Sequence, residues 1–141
     1  MNVGIVGHEA AKFTVDSEVQ AKAIIRHLLN QTGAVLVSGG CHLGGIDIWA
    51  EEEADRLGLR KVIHKPKKLT WADGFRPRNE AIARDADVMH CVVVRTLPKS
   101  YTGMRFDYCY HCKTSEHVKS GGCWTAKLAQ RLGKPAVWHT I

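Results

Sequence analysis

The run Ser38-Gly39-Gly40-Cys41-His42-Leu43-Gly44-Gly45-Ile46-Asp47 constrains this chain more than any other stretch. It follows the apolar residues Ala34 to Val37 and precedes a helical pattern, so the order is strand, glycine loop, helix. Glycines at 39, 40, 44 and 45 permit φ > 0 and let another group approach the main chain closely. The N–H groups of such a loop, backed by a helix N-terminus, form an anion site suited to phosphate. A plain β-to-α turn, the competing account, needs fewer glycines.

The rest of the chain alternates between the periods of strands and helices. Residues 2–6 form an apolar first strand ending at Gly7. Over 16–31 the positions Ala21, Ile24, Ile25, Leu28 and Leu29 fall on one helical face, with Asp16 or Ser17 as cap and Gly33 closing the end. Residues 34–38 are the second strand. A helix over about 45–57 buries Ile46, Trp49, Ala50, Ala54 and Leu57 and stops at Gly58. The third strand covers 60–64, stopped by Pro66. After a loop, a third helix begins at Arg78, and 87–94 form a central fourth strand. Gly121-Gly122 opens a last helix, burying Trp124, Leu128, Ala129 and Leu132, before a strand over 136–139.

This is an α/β pattern: a Rossmann-like, doubly wound parallel sheet of about five strands in the order 3-2-1-4-5, all in one domain over 1–141. Ligands of such sheets sit at the carboxyl ends of the strands, where the order reverses. The loops at Gly7, at Gly39 and after Val94 meet there, so three glycine clusters share one crevice. Arg78 offers a planar fork for phosphate. Asn79 either caps its helix or touches ligand. Asp47 either accepts from ribose hydroxyls or steadies the second helix through its dipole. His8 follows the first strand and can reach ligand phosphate, and Trp71 and Phe75 can stack on a base.

The net charge of +6 favours anionic partners, and no apolar run is long enough to span a membrane. With no basic, apolar leader at Met1, the expected location is the cytoplasm, and self-association is left open. Five cysteines beside histidines then point to metal before disulfides. Cys109-x2-Cys112-x4-His117-x5-Cys123 differs by one residue from the zinc-knuckle spacing, and a Cys3His set satisfies tetrahedral zinc in a structural role. His111 is a spare for His117, and free thiols are the alternative. The 95–123 excursion is expected to be a small zinc-binding insert. It would serve as a lid over the crevice, with Arg95, Lys99, Arg105 and Lys119 supplying positive charge. Cys91 is expected to pack in its strand.

Ser38-Gly39-Gly40 with Gly45-Ile46-Asp47, Ala50 and Ala54 resembles the SLOG superfamily, which includes DNA-processing protein A (Smf), the YpsA-like proteins and the LOG phosphoribohydrolases. Arg78-Asn79 with Ile82-Ala83 and Asp87 resembles that group's arginine-asparagine helix. Gly121-Gly122, Thr125, Ala126 and Ala129, then Gly133-Lys134-Pro135, resemble its last helix and strand. The resemblance spans roughly 1–94 and 121–140. It implies a pocket for a nucleotide or nucleotide-derived molecule, with phosphate near Gly39, Gly40, Gly121 and Gly122. The ligand-binding set is then Gly7, His8, Gly39, Gly40, Gly44, Gly45, Asp47, Arg78, Asn79, Gly121, Gly122 and Thr125.

The LOG signature Pro-Gly-Gly-x-Gly-Thr-x-x-Glu carries a catalytic glutamate. The matching stretch here, Ser120 to Leu128, has no acid at that place. Binding of a nucleotide-type molecule is therefore the leading expectation. Hydrolysis of an N-glycosidic bond, with Asp47 or Glu9 standing in for the glutamate, is the second. Single-stranded nucleic-acid binding is the third.

Overall fold

Alternation of apolar residues gives the central sheet its two faces. The computed structural model describes residues 1–141. In β1 (Asn2–Gly7), Val3 and Ile5 point to one core while Val6 points to the other. In β4 (Val88–Val93), Val92 joins the first core, and Met89, Cys91 and Val93 the second. Helices α1 (Val15–Leu29) and α2 (Ile46–Arg56) cover the first face; α3 (Arg76–Asp85) and α4 (Gly121–Arg131) cover the second. With β2 (Val35–Ser38), β3 (Arg60–Ile63) and β5 (Ala136–Thr140), the sheet is entirely parallel and runs β3-β2-β1-β4-β5. This is the expected doubly wound order, with the reversal between β1 and β4.

Local departures have local causes. Thr14 caps α1, its hydroxyl accepting from the Ser17 N–H while Ser17 returns the bond. Neither Asp16 nor Ser17 is therefore the cap. A π turn over Trp71–Phe75 runs straight into α3, which begins at Arg76, ahead of the expected Arg78.

The largest correction concerns α4. Its buried face is Cys123, Thr125, Ala126 and Ala129, whereas Leu132 is 48% exposed and Trp124 and Leu128 are half-buried. The helix lies so near β1 that a Cβ on Gly122 would sit 2.8 Å from the Gly7 nitrogen, so only small side chains fit between. Trp124 turns outward, edge-on to Trp71 at 5.0 Å between ring centres.

Residues 95–120 leave β4 and return beside it, with the Val118 N–H donating to the Val94 carbonyl at 3.0 Å. No helix is long and apolar enough to cross a membrane.

Candidate functional site

The carboxyl end of β1 opens into a cavity of about 370 Å³ at the point where the strand order reverses. Val6, Gly7 and His8 line it together with Asp47 of α2, Arg78 and Asn79 of α3, and residues 119–122 at the start of α4. Gly7 is required here, because a Cβ would strike the Val92 carbonyl and the Ile46 side chain. The strand end can thus lie against β4, α2 and α4 at once.

His8 is 2% exposed, and neither ring nitrogen has a hydrogen-bond partner. Burial, and then the positive charges of Lys12, His117 and Lys119, lower its pKa to about 3, so the ring is neutral. Asp47 stands in the first turn of α2, where Oδ2 accepts from the Cys41 N–H at 3.1 Å. Removal from water raises its pKa to about 6, against the opposing pull of Arg78 and of that N–H.

Arg78 is held on three sides. Its Nη1 donates to the Gly39 carbonyl at 2.7 Å, its Nε donates to Asn79 Oδ1 at 2.7 Å, and its guanidinium lies 5.6 Å from the Phe75 ring centre. A side chain at residue 39 would collide with Nη1, so Gly39 is the seat of the arginine. Nη2 remains for a ligand.

Gly7, His8, Asp47, Arg78, Asn79, Gly121, Gly122 and Thr125 therefore line one cavity. Gly39, Gly40, Gly44 and Gly45 do not. Gly39 lies under Arg78, Gly45 packs on the His8 carbonyl, and Gly40 and Gly44 border a neighbouring cavity. Asn79 caps no helix, since α3 starts three residues before it; its oxygen orients Arg78 instead. Trp71 and Phe75 both reach the cavity. Lys12, which belongs to no motif in the sequence, lines it from the turn after β1 and lies 3.7 Å from Glu9.

The insert meets the cavity less broadly than expected. Of Arg95, Lys99, Arg105 and Lys119, only Lys119 lines the crevice, its ammonium 5.5 Å from the Phe106 ring centre and 5.8 Å from that of Tyr110. Arg105 donates to the Pro98 and Lys99 carbonyls at 2.7 and 3.1 Å, and Arg95 borders a separate depression. The Tyr101 hydroxyl donates to Glu9 at 3.4 Å, a further tie to the rim.

Cys109, Cys112, His117 and Cys123 come together, each offering one ligand atom, all within 4.8 Å of one another. The set could hold a metal ion. Cys109 and Thr114 exchange backbone hydrogen bonds of 2.8 and 3.2 Å, closing the Cys-x2-Cys turn through Lys113 at φ 55°. His117 Nδ1 donates to the Val118 carbonyl at 3.0 Å, which leaves the Nε2 lone pair for a metal. His111 is not in the set; it stacks on Tyr110. Cys91 packs as expected, yet its Sγ lies 3.9 Å from that of Cys123. The hydrogen bond from Cys91 lowers the Cys123 pKa to about 5 and favours the thiolate, the form that binds metal.

The architecture has solved counterparts. Three structures of the molybdenum cofactor carrier protein (MCP) of Chlamydomonas reinhardtii match this chain with TM-scores of 0.64, 0.61 and 0.63. The fold is shared. Each is 19% identical and aligns over 99% of this chain and 76–77% of its own length. No family model matches the sequence, and no curated protein matches it. At this identity the likeness to MCP covers the fold alone.

Proposed function

We propose that this chain binds a phosphorylated heterocycle, a nucleotide or a nucleotide-derived molecule, in the crevice at the end of β1. One observation carries the reading: His8 is buried with both ring nitrogens unpartnered on the wall of that crevice. An unmet buried polar group costs about 1–3 kcal/mol, and a ligand that bonds the imidazole recovers it. Lys119, Arg78 and the N-terminus of α4 supply positive charge for phosphate. Trp71 offers an aromatic surface to the ring system, and Asp47 accepts from ligand hydroxyls or ring N–H groups. MCP, which shares this fold, is by name a carrier of the molybdenum cofactor, which supports a small-molecule ligand here.

The test is a thermal-shift screen of the purified chain against nucleotides, signalling nucleotides and the molybdenum cofactor. A native-state ligand at one hundred times its Kd adds about 2.7 kcal/mol of apparent stability. A screen without a single shift overturns the reading.

The Cys3His set is proposed to hold one zinc ion. Tetrahedral zinc–thiolate geometry places sulfur ligands roughly 3.8 Å apart, and the observed spread of up to 4.8 Å closes on that with small side-chain movement. Four protein ligands leave no open position, so the zinc is structural. Metal analysis should return one equivalent, and less than half an equivalent counts against the assignment. Unpaired thiols at all five cysteines suit a reducing compartment such as the cytoplasm.

A second reading rests on Asp47. A carboxyl group with its pKa near 6 inside the crevice can exchange a proton near neutral pH, as cleavage of an N-glycosidic bond requires. Base released from nucleoside monophosphates, and lost in Asp47→Asn, would establish it.

A further inference from the structure

The glycines of the loop that dominates the sequence lie outside the crevice, although Cys41 and Leu43 between them line it. Gly40, at φ 58°, and Gly44, at φ 76°, border a second cavity of about 550 Å³. Arg78, Phe75 and Cys41 line both cavities, so the two meet across the guanidinium. The second cavity has Lys65 and His42 on its wall and no carboxylate, and Lys65 forms no ion pair. The backbone N–H of His42 has no backbone acceptor, while that of Leu43 points to the Cys41 thiol. Its apolar wall is Ile48, Pro66 and Leu69. Leu69 is 67% exposed here, as Leu43 (55%) and Trp71 (48%) are at the crevice.

We propose that the ligand is two-ended: a dinucleotide whose bridging phosphates cross Arg78, one half in the crevice and the other against Lys65 and Leu69. This rests on the reading of the crevice given above. Each feature has a place in it. The guanidinium is the only cationic side chain bordering both cavities, and its seat on Gly39 and Asn79 fixes the plane it presents to the phosphates. The loop amides and Lys65 add positive potential on the far side, where a mononucleotide held at α4 has nothing to meet. The exposed leucines and Trp71 become covered surface. A second nucleoside brings more apolar contact and, through the linkage, needs no second binding event from solution.

Calorimetric titration of the full chain with the four common nucleoside monophosphates and their symmetric dinucleoside diphosphates tests the proposal. At least one dinucleotide should bind ten times or more tighter than its mononucleotide half. Lys65→Ala and Leu69→Asp, both at exposed positions, should each remove most of that advantage and leave mononucleotide affinity within twofold. A dinucleotide with no advantage over its half, or an advantage untouched by both variants, overturns the two-ended site alone. No binding from either set also overturns the two-ended site, while the crevice reading stands or falls by the wider thermal-shift screen.

Discussion

Gly122→Ala should destabilise this protein while Gly121→Ala, one residue earlier on the same helix, should not. A Cβ at 122 would lie 2.8 Å from the Gly7 nitrogen, 3.1 Å from its Cα and 3.2 Å from the Val6 Cβ. Carbon contacts are comfortable at about 3.5–4.0 Å, so the overlap is at least half an ångström against backbone. Gly7 cannot retreat, because the Val92 carbonyl and Ile46 stand behind it. The helix must move instead, and overpacking of this kind costs about 1–3 kcal/mol. For 141 residues the unfolding entropy is roughly 0.3 kcal/mol/K, so Tm should fall by about 3–10 °C. A Cβ at 121 meets nothing within 4 Å, and alanine there should be neutral or stabilising by up to about 1 kcal/mol. Urea unfolding of both variants, with m unchanged, is the assay. If the two lie within 0.5 kcal/mol of each other, or Gly121→Ala is the worse, the close approach of α4 to β1 that shapes the crevice is wrong.

Further expectations concern the walls of the site. His8→Leu should raise stability at neutral pH by about 1–3 kcal/mol while removing the ligand-induced thermal shift, because it deletes an unmet buried polar group. It should also change the response to acid. His8 titrates near 3 when folded and near 6.5 when unfolded, so the unfolded chain takes up the proton first and stability falls as pH drops from 6.5 towards 3. At pH 5 that loss is about 2 kcal/mol, so the change in stability from pH 7.5 to 5, read from urea unfolding, should be less favourable by about that much in the wild type than in the variant. Asp47, raised to about 6, acts in the opposite sense as pH rises from 3.8 through 6, and cancels in this comparison. Arg78→Ala should lose most of any ligand-induced shift, and Arg78→Lys should not restore it, since a lysine cannot bond Gly39, Asn79 and ligand together. Stripping any metal held by the Cys3His set should weaken binding of the proposed ligand, because the wall formed by residues 119–122 is strung between His117 and Cys123. Chelator-treated protein that retains full affinity would refute that link.

Much of the architecture was legible in one dimension. Alternation in Val3, Ile5 and Val6, and again from Met89 to Val93, marks strands buried on both faces, and the helical spacing of Ala21, Ile25, Leu28 and Leu29 marks what covers them. Parallel order with crossover helices then leaves few topologies, and the observed 3-2-1-4-5 is one of them. The Cys3His set was equally plain, since Cys109 and Cys112 lie in one turn. The choice of His117 over His111 was not, because both are close enough in sequence and only the course of the chain aims one of them.

What the amino-acid order determined by itself was the succession of strands and helices, the reversal point, and which kinds of residue would gather there. Those depend on periodicity and turn chemistry, which act over a few residues. Only the tertiary structure decided that Gly39 seats Arg78, that Lys12 joins the crevice, that α4 buries alanines in place of Trp124 and Leu132, and that Gly40 and Gly44 border a second cavity. These are matters of distance between segments far apart in the chain. Register and close packing set such distances, and they leave no periodic trace in the sequence.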